Sequence, residues 1–152
     1  MDEAPLTEAH LDELRELVAE ATVAFFGGGM RRYFELVNHA DDFTLMGPFG
    51  GDTVRDSANS DAQIDEMQRF VQGGDATLEI VETYASGDLA VLVVVEHQHG
   101  VVGDAPPQDW SLRITLVFRR EGAGWRLVHR HADPLVHPIS FDQLAALARG
   151  AS

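Results

Sequence analysis

Hydrophobic residues near the start of the chain recur at spacings of three and four, which is typical of an amphipathic helix. The stripe consists of Leu11, Leu14, Val18, Ala21 and Phe25. Thr7 is a candidate N-cap, and the glycines at 27–29 are a candidate end for this helix. A second short helix is predicted from about Met30 to Asn38.

A third helix is predicted after a short strand and a loop. The strand covers Phe43–Met46 and leads into the Gly/Pro-rich segment 47–51, which is a turn signal. The segment 60–63, Ser-Asp-Ala-Gln, matches a capping box, and apolar residues follow it at helical spacing. Gly73 and Gly74 are expected to end this helix.

From residue 76 the apolar period changes to two, which predicts strands. The four long strands are Ala76–Ala85, Leu89–His99, Asp109–Arg120 and Trp125–Ala132. Turn signals at 86–88 and 121–124 join neighbouring strands as hairpins, and a capping box at 140–143 opens a last short helix. Helices followed by an antiparallel meander are an α+β order, and we expect residues 1–152 to form one domain.

The two segments 113–120 (RITLVFRR) and 124–133 (GWRLVHRHAD) carry a family resemblance. With the order of elements, they resemble the nuclear transport factor 2-like superfamily, its SnoaL-like branch in particular. The resemblance implies a cone: a highly curved mixed or antiparallel sheet, with the N-terminal helices on its concave face around a pocket. It also implies a homodimer formed through the sheet. It implies no particular activity, because this fold hosts isomerases, cyclases, dehydratases, hydrolases and binding domains.

The residues that serve steroid isomerases of this superfamily are not reproduced. The resemblance places Gly47 where their catalytic aspartate precedes a proline, Thr115 where a protonated aspartate donates, and Val23 near a helix tyrosine. A pocket arginine of the kinase-associated hub domains is matched by Ala132. Glycine cannot abstract a proton, so we expect the isomerase mechanism to be absent.

Alternation along the third long strand separates two faces. Trp110, Leu112 and Leu116 lie on an apolar face, and Arg113 and Thr115 lie on the other. From the pattern alone the apolar face is core. The resemblance instead implies that Thr115, and hence Arg113, points into the cavity while the apolar face lies partly in a dimer interface. The alternative is a monomer whose helices cover the apolar face and leave Arg113 and Thr115 in water.

Six residues are candidate ligand contacts on this basis: Tyr33, Phe49, Phe70, Arg113, Thr115 and Arg130. The aromatic rings would form walls, the tyrosine and threonine would offer hydroxyls, and an arginine would bind a carboxylate or enolate oxygen. Arg130, predicted on the same face as Arg113, would assist it. The plain alternative is that both arginines pair with acidic neighbours.

Glu82 and Glu96 are weak catalytic candidates, because a carboxylate is unusual inside a strand and a buried one has a raised pKa suited to a base. A solvated strand face is the simpler explanation. The pairs His97/His99 and His129/His131 are predicted two strand spacings of about 4.8 Å apart, too far to share one ion. We therefore expect no metal site and no cofactor.

The amino-acid composition limits the classes of partner that the protein can have. The chain has 11 basic and 25 acidic residues, a formal net charge of −14, which disfavours nucleic acid. It has no cysteine, so disulfides and thiolate metal sites are excluded. Without a long apolar run or a basic leader at the start of the sequence, a cytoplasmic protein with no membrane partner is expected.

The leading hypothesis is a protein that binds a small, largely apolar organic molecule in the cone. One alternative is a cofactor-independent isomerase, cyclase or dehydratase that uses Glu96, Glu82 or a histidine. The other is a dimeric accessory module whose cone is filled by its own side chains.

Overall fold

The computed structural model describes residues 5–55 and 61–150. The elements are α1 (Glu8–Phe26), α2 (Met30–Leu36), β1 (Asn38–Met46), α3 (Asp61–Phe70), β2 (Val71–Ser86), β3 (Leu89–Val102), β4 (Gln108–Asp109), β5 (Leu112–Glu121), β6 (Gly124–Asp133) and α4 (Phe141–Arg149). None of the helices in these ranges has the length and apolar character of a membrane span.

The first and last helices begin where the sequence predicts. The Thr7 hydroxyl accepts a hydrogen bond from the backbone N–H of His10 at 3.2 Å, and the His10 ring accepts one from the Thr7 N–H at 3.1 Å. Ser140 and Gln143 form the same reciprocal box at the start of α4. These bonds satisfy N–H groups that the first helical turn leaves without partners, so both starts are encoded locally.

The sheet is mixed and strongly curved. Its strand order is β1-β6-β5-β3-β2, with β1 parallel to β6 and the other neighbours antiparallel, and β4 pairs with the end of β3. The predicted α+β class, with a curved mixed sheet and N-terminal helices packed on one side, is confirmed. We call the helix-covered side the inner face and the opposite side the outer face.

The core lies between α1 and the inner face. Alternate residues of β3 and β5 point into it, among them Leu92, Val94, Ile114, Leu116 and Phe118, each at most 3% exposed. The apolar face of the third predicted strand is therefore covered by the helices of the same chain. The prediction that Leu116 lies partly in a dimer interface is wrong, and the alternation rule alone assigned it correctly.

Several element boundaries differ from the prediction; β1, for example, begins at Asn38 and not at Phe43. Gly73 and Gly74 do not end α3, which ends at Phe70; they lie inside β2 with φ of 119° and 156°, next to a register shift in its pairing with β3. The strand predicted over Asp109–Arg120 is divided into β4 and β5 at residues 110–111. The predicted capping residue of α3, Ser60, lies outside the described residues.

Candidate functional site

A cavity opens at one end of the sheet, and we call it the mouth pocket. Its volume is about 620 Å³. Its walls come from four segments far apart in sequence: Pro48, Phe49, Phe70, Val102, Gly103, Asp104, Ala105, Gln108, Asp109, Trp110, Ser111, Leu112, Pro134, Val136 and His137. Most of these side chains are apolar, as is usual for small-molecule sites of this size.

Two of the predicted ligand contacts meet in this pocket. Phe49 is 87% exposed and Phe70 is 47% exposed, and their ring centroids are 6.5 Å apart. Phe49 is carried by a turn in which Gly50 and Gly51 adopt positive φ, while Phe70 is the last residue of α3. Large apolar rings left open to water on facing segments offer contact area to an apolar guest.

Trp110 forms another wall, and its place in a pocket was not predicted. Its indole N–H donates to the Gly100 carbonyl at 3.1 Å and its backbone N–H donates to the Gln98 carbonyl at 2.8 Å. Both hydrogen bonds fix the indole ring of Trp110 between the end of β4 and the start of β5. The available signal in the sequence was a tryptophan shortly after Pro106 and Pro107, because a large amphipathic ring close to a loop is often only partly buried.

The polar groups of the mouth pocket are at its rim. Asp104 and Asp109 are exposed, and the Asp109 carboxylate lies 2.8 Å from the ring nitrogen of His99. The Ser111 hydroxyl accepts a hydrogen bond from the Gln98 N–H at 3.2 Å, and His137 contributes a ring from the segment after β6. The polar groups of the pocket lining thus include two carboxylates, a hydroxyl and an imidazole ring.

Deeper on the inner face, Glu96 and Arg130 form a buried ion pair. Glu96 is 4% exposed, and its carboxylate oxygens lie 3.3 Å and 3.5 Å from the terminal nitrogens of Arg130. The same carboxylate accepts hydrogen bonds from the Gln98 amide at 2.7 Å and the Thr22 hydroxyl at 3.2 Å. These partners fix the position of the Glu96 carboxylate and occupy both of its oxygens as hydrogen-bond acceptors.

Tyr33 closes the space beside this ion pair. Its ring makes edge contacts with Phe25 and Phe34, each with ring centroids 5.1 Å apart. Burial, with the nearby charge of Glu96, raises the pKa of the Tyr33 phenol although Arg130 opposes the shift. Burial is the largest single effect on the pKa of Arg130 and would lower it, but the charge of Glu96, the nearby Tyr33 and the hydrogen bond to Glu96 together raise the pKa.

The space left inside the cone is very small. A cavity of about 10 Å³ is bounded by the buried pair, Tyr33 and core side chains. That is close to the least volume that admits one water molecule. Tyr33, Glu96 and Arg130 are therefore together as a packed polar cluster on the inner face, and they leave no room for an organic ligand in this conformation.

Arg113 and Thr115 line an open groove on the outer face of the sheet, and the prediction that they point into the cone is wrong. Thr115 is exposed, and half of the Arg113 side chain is exposed on the outer face, where it forms a bidentate pair with Asp133 at 2.9 Å and 3.0 Å. This hydrogen-bonded contact with Arg113 lowers the pKa of Asp133. Their neighbours Ile114 and Leu116 take the inner face, because burying isoleucine and leucine is more favourable than burying a charged arginine.

Arg130 and Arg113 lie on opposite faces, although they were predicted on the same one. The pairing of β5 with β6 shifts between Val117 and Phe118, so that Arg130 stands opposite Leu116 while Arg113 stands opposite Asp133. A bulge of this kind reverses which residues face inward. The alternative in which each arginine pairs with an acidic neighbour matches the contacts of both.

The other candidates lie on the outer face. Glu82 is exposed, and its carboxylate accepts a hydrogen bond from the next backbone N–H. His97 lies 2.8 Å from Glu79, and His129 is 2.8 Å from the Thr44 hydroxyl. Across residues 5–55 and 61–150, no group of three or more potential ligands is placed to hold a metal ion.

Several solved structures share this fold. An NTF2-like protein of unknown function from Pseudomonas putida is 20% identical, with 91% of this chain and 93% of that chain covered at a TM-score of 0.65. An NTF2-like protein with a cystatin-like fold from Novosphingobium aromaticivorans is 23% identical, with 90% and 87% covered at 0.63. A putative calcium/calmodulin-dependent protein kinase type II association domain from Thiobacillus denitrificans is 22% identical, with 89% and 99% covered at 0.59. At these identities the likeness shows the fold alone.

No curated protein matches this chain. The family model described as the SnoaL-like domain matches residues 9–136, which is most of the sequence. The predicted resemblance is therefore confirmed, and this protein belongs to the SnoaL-like domain family.

Proposed function

We propose that this protein binds a small, largely apolar organic molecule, and that the binding site is the mouth pocket. The observation that carries the proposal is an open, mainly apolar cavity of about 620 Å³ whose walls include the exposed rings of Phe49 and Phe70. Small-molecule sites typically have volumes of about 300–1,000 Å³. The site differs from the predicted one, since it lies at the open end of the cone.

Catalysis by Glu96 has less support. Glu96 is paired with Arg130, accepts two further hydrogen bonds and borders a cavity of about 10 Å³. A general base must reach the proton that it removes, directly or through one water. Glu82 is exposed and is absent from the lining of the mouth pocket.

The aromatic wall gives a direct test of ligand binding. Phenylhexanol, a neutral apolar probe, is expected to bind saturably and to change the fluorescence of Trp110. Phe49→Ala is expected to weaken binding about tenfold, because it removes a ring that the ligand would cover. Isothermal titration calorimetry and tryptophan fluorescence measure both effects.

The matched control is Phe141→Ala. Phe141 is 80% exposed, lies on α4 and does not line the pocket, so its removal takes away an equally open ring elsewhere. Affinity should then change less than about twofold, as expected for a surface substitution away from the site. Absence of saturable binding, or an equal loss in both variants, would refute the proposal.

We also propose that two copies associate through the outer face of the sheet. Val81, Val93 and Val95 line an open groove of about 320 Å³ there, and Tyr84 is 59% exposed on β2. A solved structure of the same fold is described as a kinase association domain, which supports association of this fold. The valines of β2 and β3 give this groove an apolar part, and the Arg113–Asp133 pair borders it.

The cytoplasmic location of the protein and the exclusion of nucleic acid and membrane as partners remain predictions from the sequence. The absence of cysteine supports the proposed cytoplasmic location, because such a chain has no need of an oxidising compartment. The net charge of −14 supports the proposal that nucleic acid is not a partner.

A further inference from the structure

The charged groups of the mouth pocket have one sign. Its lining includes two carboxylates, Asp104 and Asp109, and no arginine. The sequence contains no lysine, so its 11 basic residues are all arginines, and all of them lie within the described ranges. The potential at the pocket is thus set by carboxylates, with the ring of His137 as the other titratable group of the lining.

Most of the arginines form ion pairs with carboxylates that do not line the pocket. These seven arginines are Arg15, Arg31, Arg32, Arg113, Arg119, Arg120 and Arg130. Asp104 has no such pair among the described residues, and the partner of Asp109 is His99 rather than an arginine. An anionic ligand would therefore lose hydration at the pocket without gaining a cationic contact.

The aromatic walls suit a cation as well. Phe49, Phe70 and Trp110 border the same space, and aromatic faces attract ammonium groups that come within about 6 Å of the ring. The carboxylates at the rim and the aromatic rings in the wall thus both favour binding of a cation. Neither feature favours a carboxylate or a phosphate.

We propose that the ligand of the mouth pocket is an apolar amine, protonated at neutral pH. Its hydrocarbon part lies against Phe49, Phe70 and Trp110, and its ammonium group lies at the rim beside Asp104 and Asp109. This inference rests on the proposed function, because it names the ligand class of the same pocket.

Three probes with one skeleton test the inference: phenylhexylamine, phenylhexanol and phenylhexanoate, titrated by calorimetry against the full chain. The amine is expected to bind about fivefold to tenfold more tightly than the alcohol, from one partly exposed ionic contact and one cation–π contact. The carboxylate is expected to bind more weakly than the alcohol. Raising the salt to about 0.5 M should reduce the preference for the amine, because the carboxylates are exposed.

Two double variants distinguish the effect of the rim carboxylates on amine binding from the effect of the net charge of the protein. Asp104→Asn with Asp109→Asn should reduce the amine preference to about twofold or less, since only the rings then favour the cation. Asp41→Asn with Asp88→Asn changes the net charge equally at exposed positions that do not line the pocket, and should keep the preference.

The outcomes distinguish the two proposals. If amine and alcohol bind the wild type equally, the pocket binds apolar molecules and the inference about amines is wrong. If both double variants lose the preference equally, overall charge is responsible and the inference is also wrong. If none of the three probes binds, the proposed function itself fails.

Discussion

At the scale of single residues, burial separates the two arginines that were candidate ligand contacts. Arg130 retains 16% of its side-chain exposure and faces Glu96, whereas Arg113 retains 54% and faces Asp133. Removing one member of a buried pair leaves an uncompensated charge in a poorly solvated place. Removing one member of an exposed pair leaves a charge that water solvates.

The two pairs should therefore respond differently to the same substitution. Arg130→Met is expected to lower the free energy of unfolding by about 3–5 kcal/mol, because the Glu96 carboxylate stays buried. Arg113→Met is expected to lower it by less than about 1 kcal/mol. Urea unfolding followed by circular dichroism measures both values.

A second substitution tests the cause. Adding Glu96→Leu to Arg130→Met should recover much of the lost stability, since an apolar pair can replace a buried ion pair. Equal losses for Arg130→Met and Arg113→Met would contradict the assignment of Glu96 and Arg130 as a buried pair.

At the scale of elements, close contact between β2 and β3 depends on glycine. An added Cβ at Gly100 would meet the Gly73 carbonyl, the Gly74 Cα at 2.8 Å and the Phe26 ring at 2.9 Å. Two of these atoms are backbone, so they cannot move as the end of a flexible side chain can. Gly100 therefore lets α1 and β2 approach β3 beside the carbonyl that holds Trp110.

Gly100→Ala is expected to destabilise the protein by about 1–3 kcal/mol through overpacking. Gly47→Ala is the matched control, because a Cβ there meets no atom within 4 Å and its φ is not positive. Gly47→Ala should be neutral, or stabilising by up to about 1 kcal/mol through the entropy of the unfolded chain. Thermal unfolding of the two variants compares them, and similar losses would rule out a special requirement at Gly100.

At the scale of the whole molecule, the two faces of the sheet have different environments. The inner face is covered by helices and filled by the core, whereas Val81 and Tyr84 on the outer face are 56% and 59% exposed. The last helix also leaves Phe141, Leu144 and Leu147 exposed. Apolar surface of this kind is stabilised when another copy covers it.

A charge on the outer face should therefore prevent the proposed association. Val81→Asp is expected to convert a dimer into a monomer, which sedimentation velocity or light scattering would detect. Val54→Asp is the control, because Val54 is 46% exposed and lies outside the groove on the outer face. A wild type that is monomeric at high concentration, or dissociation by both variants, would refute the dimer.

The helices and the alternation of the strands were predictable, because their signals are local. Thr7, Ser140 and the spacing of apolar residues along α1 act within a few residues of themselves. The inner face of β5 was predictable in the same way, and the error over Arg113 and Thr115 came from the resemblance. The register shift between Val117 and Phe118, which turns Arg130 to the inner face, was not predictable. A bulge depends on how two strands fit together.

The sequence by itself determined the α+β class, the family, the apolar face that becomes core and the excess of carboxylates. Only the tertiary structure decided that the inner cone is filled around Glu96 and Arg130, and that Phe49, Phe70 and Trp110 meet at an open mouth. The physical reason is that periodicity records which side of an element is apolar, whereas a cavity is the space left between elements. That space depends on the curvature of the sheet and on loops whose residues are tens of positions apart.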